Sequence, residues 1–140
     1  MSFPTPLAAT FHFAHPDWTF LEAGGARAWT RGWIDQGGSI SDAAAMGREL
    51  AAMVLPPGEA ALPALAARVQ GWHGNFAFCL ARNDEVLLGV DVVRTLPLLY
   101  SRRPGGLLVS DSHEWMRERA GRPELNEEGA EDYLVSGFVH

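Results

Sequence analysis

Apolar residues change their spacing twice along this chain, and that double change limits its fold more than any other feature. In Leu7–Phe13 the residues Leu7, Ala9, Phe11 and Phe13 alternate with smaller or polar ones, the period of a half-buried strand. Trp18–Leu21 and Ala26–Ile34 read as two further strands around the turn signal Gly24-Gly25. Over Ser39–Leu55 the period becomes helical: Ile40, Ala44, Gly47, Leu50, Ala51 and Val54 fall on one side, Ser39 or Ser41 can cap the first turn, and Pro56-Pro57-Gly58 ends the run. A second helix is expected from about Pro63 to Val69, turning Leu62, Leu65, Ala66 and Val69 inward.

From Asn75 the strand signal returns. Phe76–Leu80, the turn Arg82-Asn83-Asp84-Glu85, Val86–Val90, Pro97–Tyr100 and Leu107–Val109 read as an antiparallel meander. Asp111 followed three residues on by Glu114 makes a capping-box pattern for a helix over Trp115–Ala120, and Asn126 can cap a last helix, Glu127–Val135. Strand blocks on both sides of two helices predict an α+β protein with two facing, mainly antiparallel sheets and helices on their outer surfaces. No repeat or flexible linker interrupts the chain, so residues 1–140 are expected to form one domain.

Charge and composition exclude several functions. The 11 cationic residues are all arginine and face 17 acidic ones, for a net charge of −6; apart from Arg102-Arg103 they are scattered. Nucleic-acid binding needs a basic footprint that displaces counterions, and none is visible. No apolar run reaches the roughly 20 residues of a membrane span, and the start Met1-Ser2-Phe3-Pro4 lacks the basic and apolar segments of a secretion signal, so neither a membrane nor export is expected. The single Cys79 rules out an internal disulfide framework. It fits a reducing compartment, and a cytoplasmic location is the expectation.

Gly74-Asn-Phe-Ala-Phe78, then Val90-Asp91, Pro97-Leu98-Leu99-Tyr100 and Leu108-Val109-Ser110-Asp111, resemble in order and spacing the second half of the class II glutamine amidotransferase domain of asparagine synthetases. Glu131-Asp132-Tyr133-Leu134 to Gly137-Phe138-Val139 is similar to the segment through which that domain leads into an ATP-using synthetase domain. The resemblance implies an abbreviated N-terminal hydrolase fold, with layers in the order helix, sheet, sheet, helix. It also implies that the residues are the glutaminase part alone, cut out or free-standing. Upstream, Trp29-Thr30-Arg31-Gly32-Trp33-Ile34-Asp35 looks like the family segment Asn-Gly-Glu-Ile-Tyr-Asn. Arg31 then replaces the asparagine of the oxyanion hole and Trp33 replaces the glutamate that binds glutamine. Arg31, Gly32 and Asp91 are thereby the candidate substrate-binding residues. The acid Asp91 is retained, but its arginine neighbour has become Val90 and the following glycine has become Arg94, so a structural turn role is expected of it.

Active members of that family begin Met-Cys-Gly-Ile and use the exposed cysteine as nucleophile, with its own α-amine as base. Here position 2 is Ser2, a formal candidate for the same chemistry in an N-terminal hydrolase. Two nearby prolines, Pro4 and Pro6, cannot donate to a ladder, so an untethered or edge-lying terminus without catalysis is expected. Cys79, in an apolar strand with no adjacent cation, is expected to be a buried, inert thiol. The histidines lack the close spacing of a metal site, and none is assigned. The five tryptophans are expected in core or interface packing.

Loss of the nucleophile resembles β-lactam synthetases and lasso-peptide cyclases, whose attacking amine belongs to their own substrate. The expected function is therefore a non-catalytic scaffold domain of an ATP-dependent amide-forming enzyme. Its partner would be a synthetase domain in cis or in trans, which would hold ATP and Mg²⁺; this domain itself would bind no cofactor. An active hydrolase using Ser2 and a stand-alone binding or dimerisation module, including a homodimer, remain as alternatives.

Overall fold

The structure, a computed structural model, describes residues 2–3, 8–82, 85–103 and 106–120. The expected helix Glu127–Val135 and the segment Glu131–Val139 lie outside the described residues. The protein is α+β, with two mainly antiparallel sheets and three α-helices. In chain order the strands are β1 (Ser2–Phe3), β2 (Ala8–His12), β3 (Thr19–Ala23), β4 (Ala26–Gln36), β5 (Ser39–Asp42), β6 (His73–Arg82), β7 (Glu85–Val90), β8 (Leu99–Arg103) and β9 (Gly106–Ser110). Helices α1 (Ala43–Ala52) and α2 (Ala61–Val69) lie between β5 and β6, with a short 3-10 turn at Gly58–Ala60, and α3 (His113–Ala120) follows β9.

The first sheet has the order β1-β7-β6-β4-β3, with β5 also paired to β4; the second has the order β2-β9-β8. Strand β6 shows why the sequence stacks into layers. Its Phe76, Phe78 and Leu80 join Met46, Leu50 and Leu65 of the helices in one core, while Ala77, Cys79 and Ala81 join Leu98, Tyr100, Leu107 and Val109 of the second sheet and its approach in another. Strands buried on both faces read as continuous apolar runs, as Phe76–Leu80 does. A third cluster, Leu99, Leu108, Trp115 and Met116, seats α3 on the far face of the second sheet. The layers therefore run helices, sheet, sheet, helix.

The long helix expected over Ser39–Leu55 is shorter. Gly37 and Gly38, at φ 63° and 94°, turn β4 back so that Gln36 pairs with Ser39, and residues Ser39–Asp42 form β5. Two consecutive positive φ angles are what a tight two-residue hairpin requires. Asp42, not Ser39 or Ser41, caps α1, its Oδ1 accepting from Ala45 N at 2.8 Å. Ile40, expected on the inward helical face, is 64 % exposed on β5.

The expected meander also divides. β6 and β7 pair in the first sheet, β8 and β9 in the second, and the segment between β7 and β8 carries the chain across. The second sheet is completed by β2, parallel to β9. At the start of α3 the capping oxygen is Ser112 Oγ, which accepts from Trp115 N at 3.1 Å. Asp111, expected as the cap, is directed elsewhere.

Candidate functional site

Ser2, Arg31, Gly32 and Asp91 are the positions at which a glutaminase-like reading places its chemistry, and Ser2 stands apart from the other three: Arg31 and Gly32 are consecutive on β4, and Phe76, opposite Gly32, is hydrogen-bonded to Asp91. Ser2 lies on the outermost strand of the first sheet, opposite Leu87; Leu87 stands opposite Leu80, and Leu80 opposite Ala28. Arg31 is three strands away and three residues further along β4, roughly 17 Å off by ordinary strand spacings. The backbone of Ser2 is edge-lying, as expected.

Gly32 has φ 96°, and a Cβ there would run into the carbonyl oxygen of Asn75 and come within 2.9 Å of Leu96 Cδ1. The space over this glycine is thus filled by the protein itself. Gly74 is matched to the next residues of β4 in the same way: its φ is 123°, and a Cβ would meet the Trp33 ring at 3.0 Å. Among the described residues no acceptor lies within hydrogen-bond or ion-pair range of the Arg31 guanidinium, which shares the sheet face of Arg27, Trp29 and Trp33.

Asp91 is buried, and its carboxylate is fully occupied. Oδ2 accepts from Phe76 N at 3.0 Å and Thr95 Oγ1 at 2.5 Å; Oδ1 accepts from Val93 N at 3.1 Å and Thr95 N at 3.2 Å. A carboxylate offers about four lone-pair sites, so none remains for the ammonium group of a bound amino acid. The Asp91 backbone adds Asp91 N to Phe76 O and receives Arg94 N, both at 3.0 Å. Asp91 has the structural turn role expected of it: it fastens the segment between the sheets to β6.

Cys79 is fully buried between the sheets. Burial pushes its thiol far above the ordinary range, and the charge of Arg27 offsets only part of this. It is neither accessible nor ionised, and so unsuited to nucleophilic attack.

Two features went unread in the sequence. Asp111 is a junction between sheets: Oδ1 accepts from Ala14 N at 2.8 Å, and Oδ2 accepts from His15 N at 2.9 Å and Trp18 Nε1 at 3.0 Å. Burial alone would raise its pKa, but these donors outweigh it and hold the carboxyl below its usual value. The capping-box spacing concealed this role. The other is an aromatic cluster of partly buried rings packed against the core between the sheets, which places Trp18 and Trp29 in the packing expected of them and adds Phe11, Phe13 and, at its edge, Phe20. Phe11 stacks on Trp29 at 4.4 Å, Phe13 meets Trp18 at 4.5 Å and Phe20 meets Trp29 at 5.0 Å, both tilted, while the Arg27 guanidinium lies 5.4 Å and 5.5 Å from the Phe11 and Trp29 rings. Phe20, on the outer strand, is 51 % exposed.

The histidines are dispersed. His12 stacks on Trp115 at 4.7 Å, and His15 Nδ1 accepts from Asp17 N at 3.1 Å. Among the described residues no three His, Cys, Asp or Glu side chains are grouped to hold a metal ion, and no helix there is long and apolar enough to cross a membrane. Comparison with protein-family models, with curated proteins and with solved structures finds no match for the chain.

Proposed function

We propose that the chain is a non-catalytic scaffold domain, of glutaminase-like descent, for an ATP-dependent amide-forming enzyme of asparagine synthetase type. The observation that carries this reading is the state of the retained acid. Asp91, the one acidic residue kept from the glutamine pocket, has all its acceptor capacity committed to the backbone and to Thr95. The remaining positions agree with it. Gly32 is filled, Ser2 is distant from both, and Cys79 is enclosed, so the motifs behind the resemblance serve packing rather than amide hydrolysis.

ATP and Mg²⁺ would be held by the synthetase domain, where a carboxylate is activated and attacked by an amine. A surface for that domain is at hand on the first sheet. Trp33 and Ile40, 41 % and 64 % exposed, share a face because Trp33 pairs with Asp42 and Asp35 with Ile40. Exposed apolar neighbours of this kind are suited to burial against a partner.

The test is co-expression of the chain with a separately tagged synthetase domain of the asparagine synthetase type, together with an assay for ammonia released from glutamine. Co-purification that Ile40→Asp weakens at least about tenfold, with no ammonia release, is expected. Ammonia that appears with the native chain and vanishes in Ser2→Ala would show an active hydrolase instead. Self-association without binding of the synthetase domain would make the protein a dimerisation module.

A further inference from the structure

The segment that crosses from β7 to β8 does more than join two sheets. It forms one wall of a cleft of about 210 Å³. Val90, Leu96, Pro97, Leu98 and Leu99 make the apolar lining, and the polar residues at it are Arg94 and His113. Among the described residues that line the cleft none is acidic, although the whole chain carries a net charge of −6.

Three observations bear on what this cleft can hold. Its lining is mostly apolar and its polar groups are confined to Arg94 and His113, which suits a ligand with one small anionic group and an apolar body. Its walls are fixed in advance, because Asp91 ties Val93 and Thr95, on either side of Arg94, back to its own carboxylate. The acid nearest to Arg94 in the chain is thereby committed and leaves the guanidinium to an external anion. Arg94 is also the one described non-glycine residue in the left-handed region, at φ 54°. Surroundings that hold a residue there over-determine its position, and such residues gather at ligand-binding sites. A guanidinium recognises a carboxylate through two parallel N–H donors, and a ring N–H of His113 can add a third.

We propose that this cleft binds a small carboxylate with a branched or ring-shaped apolar body, the carboxylate on Arg94 and His113 and the body against Val90, Leu96 and Leu98. The cleft adjoins the filled glycine, with which it shares Leu96, and the committed acid, whose segment forms its wall; the inference does not depend on the scaffold reading.

Isocaproate titrated into the purified chain, followed by amide NMR, tests it, with the neutral isocaproamide as control. Saturable shifts confined to residues 90–99 and 113 are expected, with a Kd near about 1 mM and at least about tenfold weaker binding of the amide. Arg94→Gly removes the guanidinium at a backbone angle that glycine adopts freely, so it should melt no lower than the native chain yet bind isocaproate at least about tenfold more weakly; Arg94→Lys should retain part of the affinity. No saturable shift, equal binding of acid and amide, or full affinity in Arg94→Gly would each overturn the proposal.

Discussion

Four donors converge on the buried carboxylate of Asp91, so its removal leaves several groups without their acceptor at once. Asp91→Ala would strip partners from the N–H groups of Phe76, Val93 and Thr95 and from the Thr95 hydroxyl. Each buried group left unpaired costs about 1–3 kcal/mol, but the exposed Val93 and Thr95 can turn to water, so a net loss of about 2–4 kcal/mol is expected. Urea unfolding at neutral pH, compared with the native chain, measures it; a loss under about 1 kcal/mol would mean that the crossing segment does not depend on this carboxylate. The residue's structural role was legible, because an aspartate followed by Val-Val-Arg-Thr can accept from its own backbone two and four residues on. The left-handed angle of Arg94 was not legible, since nothing about an arginine announces a positive φ.

Glycine pairs decided where elements begin and end. Gly24-Gly25 was read as a turn and is one, at φ 58° and 81°, joining Ala23 to Ala26. Gly37-Gly38 carries the same signal, but the helical spacing from Ile40 to Val54 absorbed Ser39–Asp42 into the following helix. The turn chemistry was the better guide there, because two residues able to take positive φ favour a hairpin whatever follows them. Strands β6 and β7 were legible because both faces are apolar, and α1 and α2 because one face is. Gly32 is the element-scale constraint on the pairing of β4 with β6. Gly32→Ala would force a Cβ into the Asn75 carbonyl and Leu96 and place alanine at φ 96°, so a loss of about 2–4 kcal/mol is expected. Thermal unfolding followed by circular dichroism checks this, with Gly71→Ala, where a Cβ meets nothing within 4 Å, as the permissive control. Equal melting of the two variants would contradict the close approach.

At the scale of the molecule the second sheet is built from distant parts of the chain, β2 lying parallel to β9 although about a hundred residues separate them. Periodicity could supply both strands but not their pairing, because spacing reports which face is buried and says nothing of the neighbour. Asp111 holds this long-range closure at one end, gripping the loop that leads from β2 in the second sheet to β3 in the first. Its carboxyl is held below the ordinary value, so the folded state favours the ionised form. The stabilisation is therefore fully present above the unfolded-state pKa of about 4 and is lost as the pH falls through the lower folded-state value. Asp111→Asn retains one acceptor but turns an amide group towards donors that need the other oxygen. It should unfold at lower urea than the native chain at pH about 7, and the gap should narrow steadily below pH about 4, as protonation removes from the native carboxyl what the substitution has already taken. A gap unchanged down to pH about 3 would mean that the charge of Asp111 adds nothing to the closure, leaving aromatic packing around Phe11, Trp18 and Trp29 to hold the two sheets together.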